Sequence, residues 1–331
     1  MKYHLVAITI LALFMAALPL HLRFTHNNPT LAGTEPYYHS RMAIQLLNGI
    51  PSEDTAIANG RPYILHPYHL TLAAAYAIIG PLAFTLLPII FALLSFVFFW
   101  LLLKKLSIPK KTLPWILLAY ALSPPFLAVS TIGTPHAFIL ALLMVGTYLL
   151  FGRLWILGSA FYIIACLSGL LYNLAALAFL IVMLLTFQKD TQHFIITSFL
   201  SVGTLVLGHS PPLVNLPQGL SQYISDFGGI YGFSIFAFLL AIVGTALVWQ
   251  PKRKYYAIYT IVIAFIIAGF FFPHLLVFGN VVVSALAGAA LAQLAERKWE
   301  LTFLRQAALL VLFCGLLFSS ISHAVTLADL P

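Results

Sequence analysis

Charge is what this 331-residue sequence has least of: Asp, Glu, Lys and Arg together make up 7% of it, against 62% hydrophobic residues. A soluble domain carries roughly a quarter charged residues. The shortage, with a mean hydropathy of +1.03, therefore excludes a soluble fold and implies an integral membrane protein. Cysteine is nearly absent as well. Cys166 and Cys314 stand alone inside apolar stretches, which excludes a disulfide framework and a CxxC metal site. No Gly-rich phosphate loop, HExxH or GxSxG occurs, which removes the corresponding nucleotide, zinc-protease and serine-hydrolase chemistries. The formal charge of +8 does not signal nucleic acid, because the basic residues fall in short clusters between apolar runs, a topology pattern rather than a phosphate-binding face.

What is present is a series of apolar runs about as long as a bilayer is thick, without the alternation of an outer-membrane barrel. The expected class is all-α, a polytopic helical bundle. The first run, 5 to 22, follows Lys2 and lacks a small-x-small cleavage site. It reads as an uncleaved signal anchor rather than a removed signal peptide. Further runs at about 82–103, 113–130, 136–152, 154–171, 172–187, 194–208, 230–249, 256–272, 275–294 and 306–323 bring the total to about eleven spans. With the N-terminus in the cytosol, thirteen of the sixteen basic residues fall inside. Only Arg23, Arg41 and Arg61 fall outside, a strong positive-inside bias. The weakest boundary is the tight Leu171/Tyr172 turn. The chain reads as a single transmembrane domain over 1–331 with no soluble C-terminal domain, and its compact loops point to a prokaryotic plasma membrane.

Two long outer loops are expected, 23–80 and 209–229. Within the first, the stretch 33–70 holds three of the eight acids (Glu35, Glu53, Asp54) and three of the eleven histidines (His39, His66, His69). Thr34 reads as a helix cap ahead of Glu35 and Pro36, and Tyr38, Met42 and Leu46 repeat every four residues, so a short helix lies there. Glu35 and His39, four apart, share one of its faces. Pro67 to Ile79 is apolar but too short to span, and reads as a second loop helix, interfacial or re-entrant. Ser123–Phe138, with its prolines and glycine, and Phe271–His274 read as Pro/Gly connectors at the outer face. Most histidines, His136 and His274 among them, also fall near that face. Two readings remain: imidazoles that tolerate the headgroup region, or imidazoles that converge on a cavity.

The stretch TEPYYHSRMAIQLL, Thr34 to Leu47, with a cytosolic N-terminus and a long first outer loop opening on an acid, resembles the GT-C glycosyltransferases. More narrowly, it resembles the membrane part of the archaeal and eukaryotic oligosaccharyltransferase catalytic subunit. HPYHLTLAAAYAI and LSPPFLAVSTIG are similar to later parts of that module. The resemblance implies a polyprenyl-phosphate-linked sugar or glycan as donor and Glu35 as the catalytic carboxylate beside the acceptor. It implies His39, Arg41, Arg61, His66, His69, Tyr37 and Tyr38 as substrate-binding candidates. It also implies a divalent metal, Mg or Mn, but the place of the family's second acidic motif reads GTPHA, 133–137, with no carboxylate. Glu35 and His136 are then the only metal candidates, a poor set for a hard cation. Without an acceptor-selecting soluble domain, a partner subunit would supply acceptor recognition. Alternatives are a degenerate relative that binds a lipid-linked glycan without transfer, and a lipid or solute transporter.

Overall fold

The computed structural model describes residues 2–28, 31–51, 53–54, 56, 61–63, 65–186, 191–205, 219–249 and 253–331. Fourteen α-helices are seen among them: α1 (Lys2–Thr25), α2 (Glu35–Leu46), α3 (Pro67–Ile79), α4 (Ala83–Lys105), α5 (Leu113–Ala121), α6 (Pro124–Thr131), α7 (Pro135–Leu150), α8 (Trp155–Leu167), α9 (Leu170–Thr186), α10 (Thr191–Leu205), α11 (Ile235–Val248), α12 (Arg253–Gly269), α13 (Leu276–Glu296) and α14 (Thr302–Ala328). Proline sets where several begin. It stands in the first turn of α2, α3, α5, α6 and α7, where its missing N–H costs nothing and its fixed φ suits the helix.

Among the described residues, four apolar stretches are long enough to cross a membrane: 5–25, 67–105, 273–296 and 302–328, with α5 and α6 a fifth if that bent pair counts as one span. Helices α7, α8, α11 and the apolar part of α12 are shorter. Large apolar side chains such as Ile10, Phe14, Phe199, Val311 and Phe318 lie on the outside, the surface that lipid rather than water favours. A straight helix over the 39 residues from 67 to 105 would run about 58 Å, against about 30 Å of hydrocarbon. That is more than one crossing needs, and α3 packs against both α2 and α4.

Two connections differ from the sequence expectation. The α8–α9 turn falls at Ser168–Gly169, ahead of Leu171, because Gly169 takes φ +148, a conformation that side chains avoid. The prolines after Ser123 do not make a surface connector. They start α6, bent by 52° from α5 and buried from Pro124 to Ser130. The first long loop also holds a two-residue antiparallel ladder, β1 (Glu53–Asp54) with β2 (Arg61–Pro62), in which Asp54 faces Arg61. Of the second expected long loop, 209–218 lies outside the described residues, while 219–229 forms two 3₁₀ turns.

The core is built from α4, α6, α7 and α13, with α7 buried almost throughout. Close approach fixes one crossing: a Cβ at Gly288 of α13 would overlap the Ile116 backbone of α5. The bundle has two unlike ends. At one, Lys105 lies over the Tyr148 ring and Lys111 sits 3.9 Å from Glu296. The other carries α2, α3 and the histidines around Glu35.

Candidate active site

Glu35 opens α2 and its side chain is 53% exposed, while His39, one turn on, is 94% enclosed. The expected cap fails: Thr34 is helical and makes no side-chain cap bond. Instead Nε2 of His39 stands 3.6 Å from Oε1 of Glu35, just beyond hydrogen-bond reach, and has no other partner. The other nitrogen of His39, Nδ1, is 2.7 Å from Nε2 of His69 on α3, whose Nδ1 is 3.1 Å from the Tyr63 hydroxyl. Tyr38 packs edge-on against both imidazoles, 5.1 and 5.6 Å between ring centres. Tyr37 is exposed.

Two further histidines come from elements far away in sequence. His136, in the first turn of α7, lies parallel to His274 at 5.0 Å, shares a 2.9 Å hydrogen bond with the Tyr172 hydroxyl of α9, and meets Tyr231 edge-on. Burial pushes the Glu35 carboxyl up, but the His39 contact and the fields of His136, His39 and His274 outweigh it and hold the acid at about 2. It is thus a carboxylate at any physiological pH.

His66 caps α3. Its Nδ1 accepts the backbone N–H of Tyr68 at 3.1 Å, so that nitrogen carries no proton. Burial, reinforced by the field of His39, lowers its pKa to about 3, against a carbonyl contact from Ser168. Because the folded value lies below the unfolded one near 6.5, His66 contributes stability that is full above that pH and is lost as pH falls from 6.5 towards 3. One such group costs at most about 3 kcal/mol between pH 6.5 and 4.5. His66→Asn keeps a capping acceptor and removes the titration. Thermal unfolding in detergent should show the variant losing less stability than the wild type over that interval.

Arg41 is engaged elsewhere. Its Nε and Nη2 donate to the two carboxylate oxygens of Asp54, at 3.1 and 2.6 Å, and Asp54 is only 1% exposed and also accepts the Ala56 N–H. The resemblance offers Arg41 as a substrate-binding candidate; in the structure its guanidinium pairs with Asp54 and ties the loop to α2. Arg41→Met should destabilise by about 3 kcal/mol or more, because it strands a buried carboxylate. Asp54→Ala should cost less, since water reaches the half-buried guanidinium it leaves. Melting temperatures of the two variants and the double variant check the order. Arg61 is placed only by its backbone opposite Asp54; its side chain lies outside the described residues.

No group of three or more His, Cys, Asp or Glu is arranged to hold a metal among the described residues. Among the described residues the one carboxylate beside the imidazoles is Glu35, and Nδ1 of His136 is engaged with the Tyr172 hydroxyl. One carboxylate with imidazoles does not suit Mg or Mn, which prefer several oxygens, so the implied metal does not fit these residues. The site is otherwise richer than its expected list: Tyr63, Tyr172, Tyr231 and His274 also belong to it. His274 carried a weak signal, as one of the histidines expected near the outer face; the tyrosines carried none beyond their nearness to helix ends.

No family model matches the sequence, and no curated protein matches it. Among solved structures, the crystal structure of the Archaeoglobus fulgidus oligosaccharyltransferase, in complex with zinc and sulfate, superposes with a TM-score of 0.60 at 12% identity, over 96% of this chain and 53% of that one. The fold is oligosaccharyltransferase-like. At this identity the likeness is one of fold, and the chain spans about half the length of the oligosaccharyltransferase it matches. An oligosaccharyltransferase-like fold with long apolar helices is that of an integral membrane protein.

Proposed function

We propose that this chain is a membrane glycosyltransferase of GT-C type that takes a sugar from a polyprenyl phosphate at the extracytoplasmic face. In this reading the eleven apolar runs are spans, the N-terminus is cytosolic, and the membrane is a prokaryotic plasma membrane. The observation that carries it is the pairing of a permanently ionised, half-exposed Glu35 with an enclosed, unpartnered imidazole nitrogen 3.6 Å away. A buried polar atom without a partner is costly, and an acceptor hydroxyl lying between the two would satisfy both.

The surroundings fit a sugar with an apolar tail. Tyr68, beside His39, has a buried hydroxyl with no partner, and Tyr37 and Tyr38 offer ring faces at the entrance. An apolar cavity of about 260 Å³ lies between α9, α11, α12 and α13, wide enough for a hydrocarbon chain and without charge for a headgroup. Phe278 lines it and also meets Tyr172, the partner of His136, so tail and headgroup sites adjoin. Glu35 orients the acceptor hydroxyl; its oxygen bonds to the sugar's anomeric carbon as the bond from that carbon to the phosphate oxygen breaks. His66, His69, Arg41 and Arg61 remain binding candidates through the loop they hold in place. A partner subunit would present the acceptor.

A second reading, a relative that binds the glycan without transfer, is favoured by the absence of a second acid and by the commitment of Arg41 to Asp54. The test is purified protein in detergent with radiolabelled polyprenyl-phosphate sugars, with and without EDTA. Release of sugar, unaffected by chelator, supports the transferase. Saturable binding without release supports the second reading, and lipid flux in proteoliposomes without either supports a transporter.

A further inference from the structure

Resting on the transferase reading, we infer that His39 takes the acceptor's proton and that His69 and Tyr63 carry it away from the chamber to water. Three contacts in series make the path: Glu35 to His39 at 3.6 Å, His39 to His69 at 2.7 Å, His69 to Tyr63 at 3.1 Å. The middle one constrains the chemistry. Two imidazole nitrogens 2.7 Å apart hold one proton between them, so His39 and His69 cannot choose tautomers independently.

Before transfer, His39 carries its proton on Nδ1 and gives that hydrogen bond to Nε2 of His69, whose own proton sits on Nδ1 and faces the Tyr63 oxygen. This leaves Nε2 of His39 bare, as its lack of any partner permits, and ready for the acceptor. As the acceptor oxygen bonds to the sugar, its proton moves to Nε2 of His39. The Nδ1 proton of His39 passes to Nε2 of His69, the Nδ1 proton of His69 to the Tyr63 oxygen, and the Tyr63 hydroxyl proton to water. One proton enters and one leaves, and both imidazoles end neutral with their tautomers exchanged. Glu35, too weakly basic at about 2 to hold a hydroxyl proton, aligns the acceptor and steadies positive charge on His39 during the step.

His39 is then a catalytic residue, since it touches the acceptor, and His69 and Tyr63 are positioning residues that act through it. The geometry is built to last: the Tyr63 ring stacks on His69 at 5.6 Å and 25°, and Tyr38 packs against both histidines. Tyr63, half-buried in the loop, is where the series reaches solvent.

The test joins a spectroscopic and a kinetic measurement. In 15N-histidine-labelled wild-type protein in detergent, the N–H···N bond should give a far-downfield imidazole proton with coupling to two histidine nitrogens, retained in Tyr63→Phe and absent in His69→Gln. With a radiolabelled polyprenyl-phosphate sugar, His69→Gln should lose about thirtyfold or more in kcat and Tyr63→Phe about fivefold, with KM for the donor unchanged. Absence of the shared proton in the wild type overturns the relay. So does wild-type kcat in both variants while the wild type transfers sugar, which leaves the transferase standing. A shared proton without any sugar transfer by the wild type overturns the transferase reading instead, and the relay's catalytic role with it.

Discussion

Glu35→Gln should lower kcat for sugar transfer by a factor of about a hundred to a thousand, the range for loss of a group that orients a reactant and stabilises developing charge, while the protein still folds and still binds donor. Gln keeps the shape and the hydrogen-bonding reach and removes only the charge. The charge is what the neighbouring imidazoles favour: they keep the carboxyl at about 2 against its own burial. Because the Glu35 pKa is depressed, its contribution to stability is present above the usual carboxylate pKa and is lost as pH falls through about 2; Gln lacks it at every pH, so the variant should melt somewhat below the wild type near neutrality and converge on it in strong acid. Turnover of a radiolabelled polyprenyl-phosphate sugar, beside a binding isotherm for the same donor, separates lost chemistry from lost binding. Equal turnover in the variant would remove Glu35 from the reaction.

The largest effect on folding is expected at Arg23. This side chain, 1% exposed at the end of α1, donates through Nη1 to the carbonyls of Leu327, Ala328 and Leu330 and through Nη2 to that of Leu31, at 2.7–3.3 Å. The last carbonyls of a helix have no partner within it, and a cation there also meets the negative end of the helix dipole. Arg23 thus ties α1 to the end of α14 and to the approach to Glu35, where the Gly33 N–H donates to the Pro331 carbonyl at 2.9 Å. Arg23→Met leaves buried carbonyls unpaired, each costing about 1–3 kcal/mol, so a loss of about 3–5 kcal/mol is expected. Thermal unfolding in detergent would show it. Arg23→Lys should restore part, since one ammonium replaces a fork of donors.

Arg23 and Arg41 also explain why the charge pattern has exceptions. Both fall on the face that basic residues otherwise avoid, and each is held there by a partner: the α14 carbonyls for one, Asp54 for the other. Sequence alone showed the exceptions without their reasons, because a contact between Arg23 and Leu327 crosses 304 residues. What was legible was local. Proline and glycine punctuation gave the helix from Pro67 to Ile79 at its observed ends, and a four-residue spacing put Glu35 and His39 on one face. The cap was misassigned, since Thr34 and His66 are both polar residues ahead of a proline and only backbone geometry decides which one bonds. The four-residue interval between Glu35 and His39 predicted a contact, but nothing in that interval foretold His69 as the next neighbour. His136 and His274 could be placed at one face by alternating spans, yet their parallel stack depends on the packing of α7 against the start of α13. The short ladder of Glu53–Asp54 with Arg61–Pro62 was hidden by its length, two residues a side.

The most direct test of the account is the location of a bound donor. Cryo-electron microscopy of the protein in lipid nanodiscs with a non-hydrolysable polyprenyl-phosphonate sugar should show the sugar within hydrogen-bond distance of Glu35 and His39. The isoprenoid chain should run into the apolar cavity beside Phe278. Density for the sugar at the lysine-rich end, or at a site from which Glu35 is turned away, would contradict it.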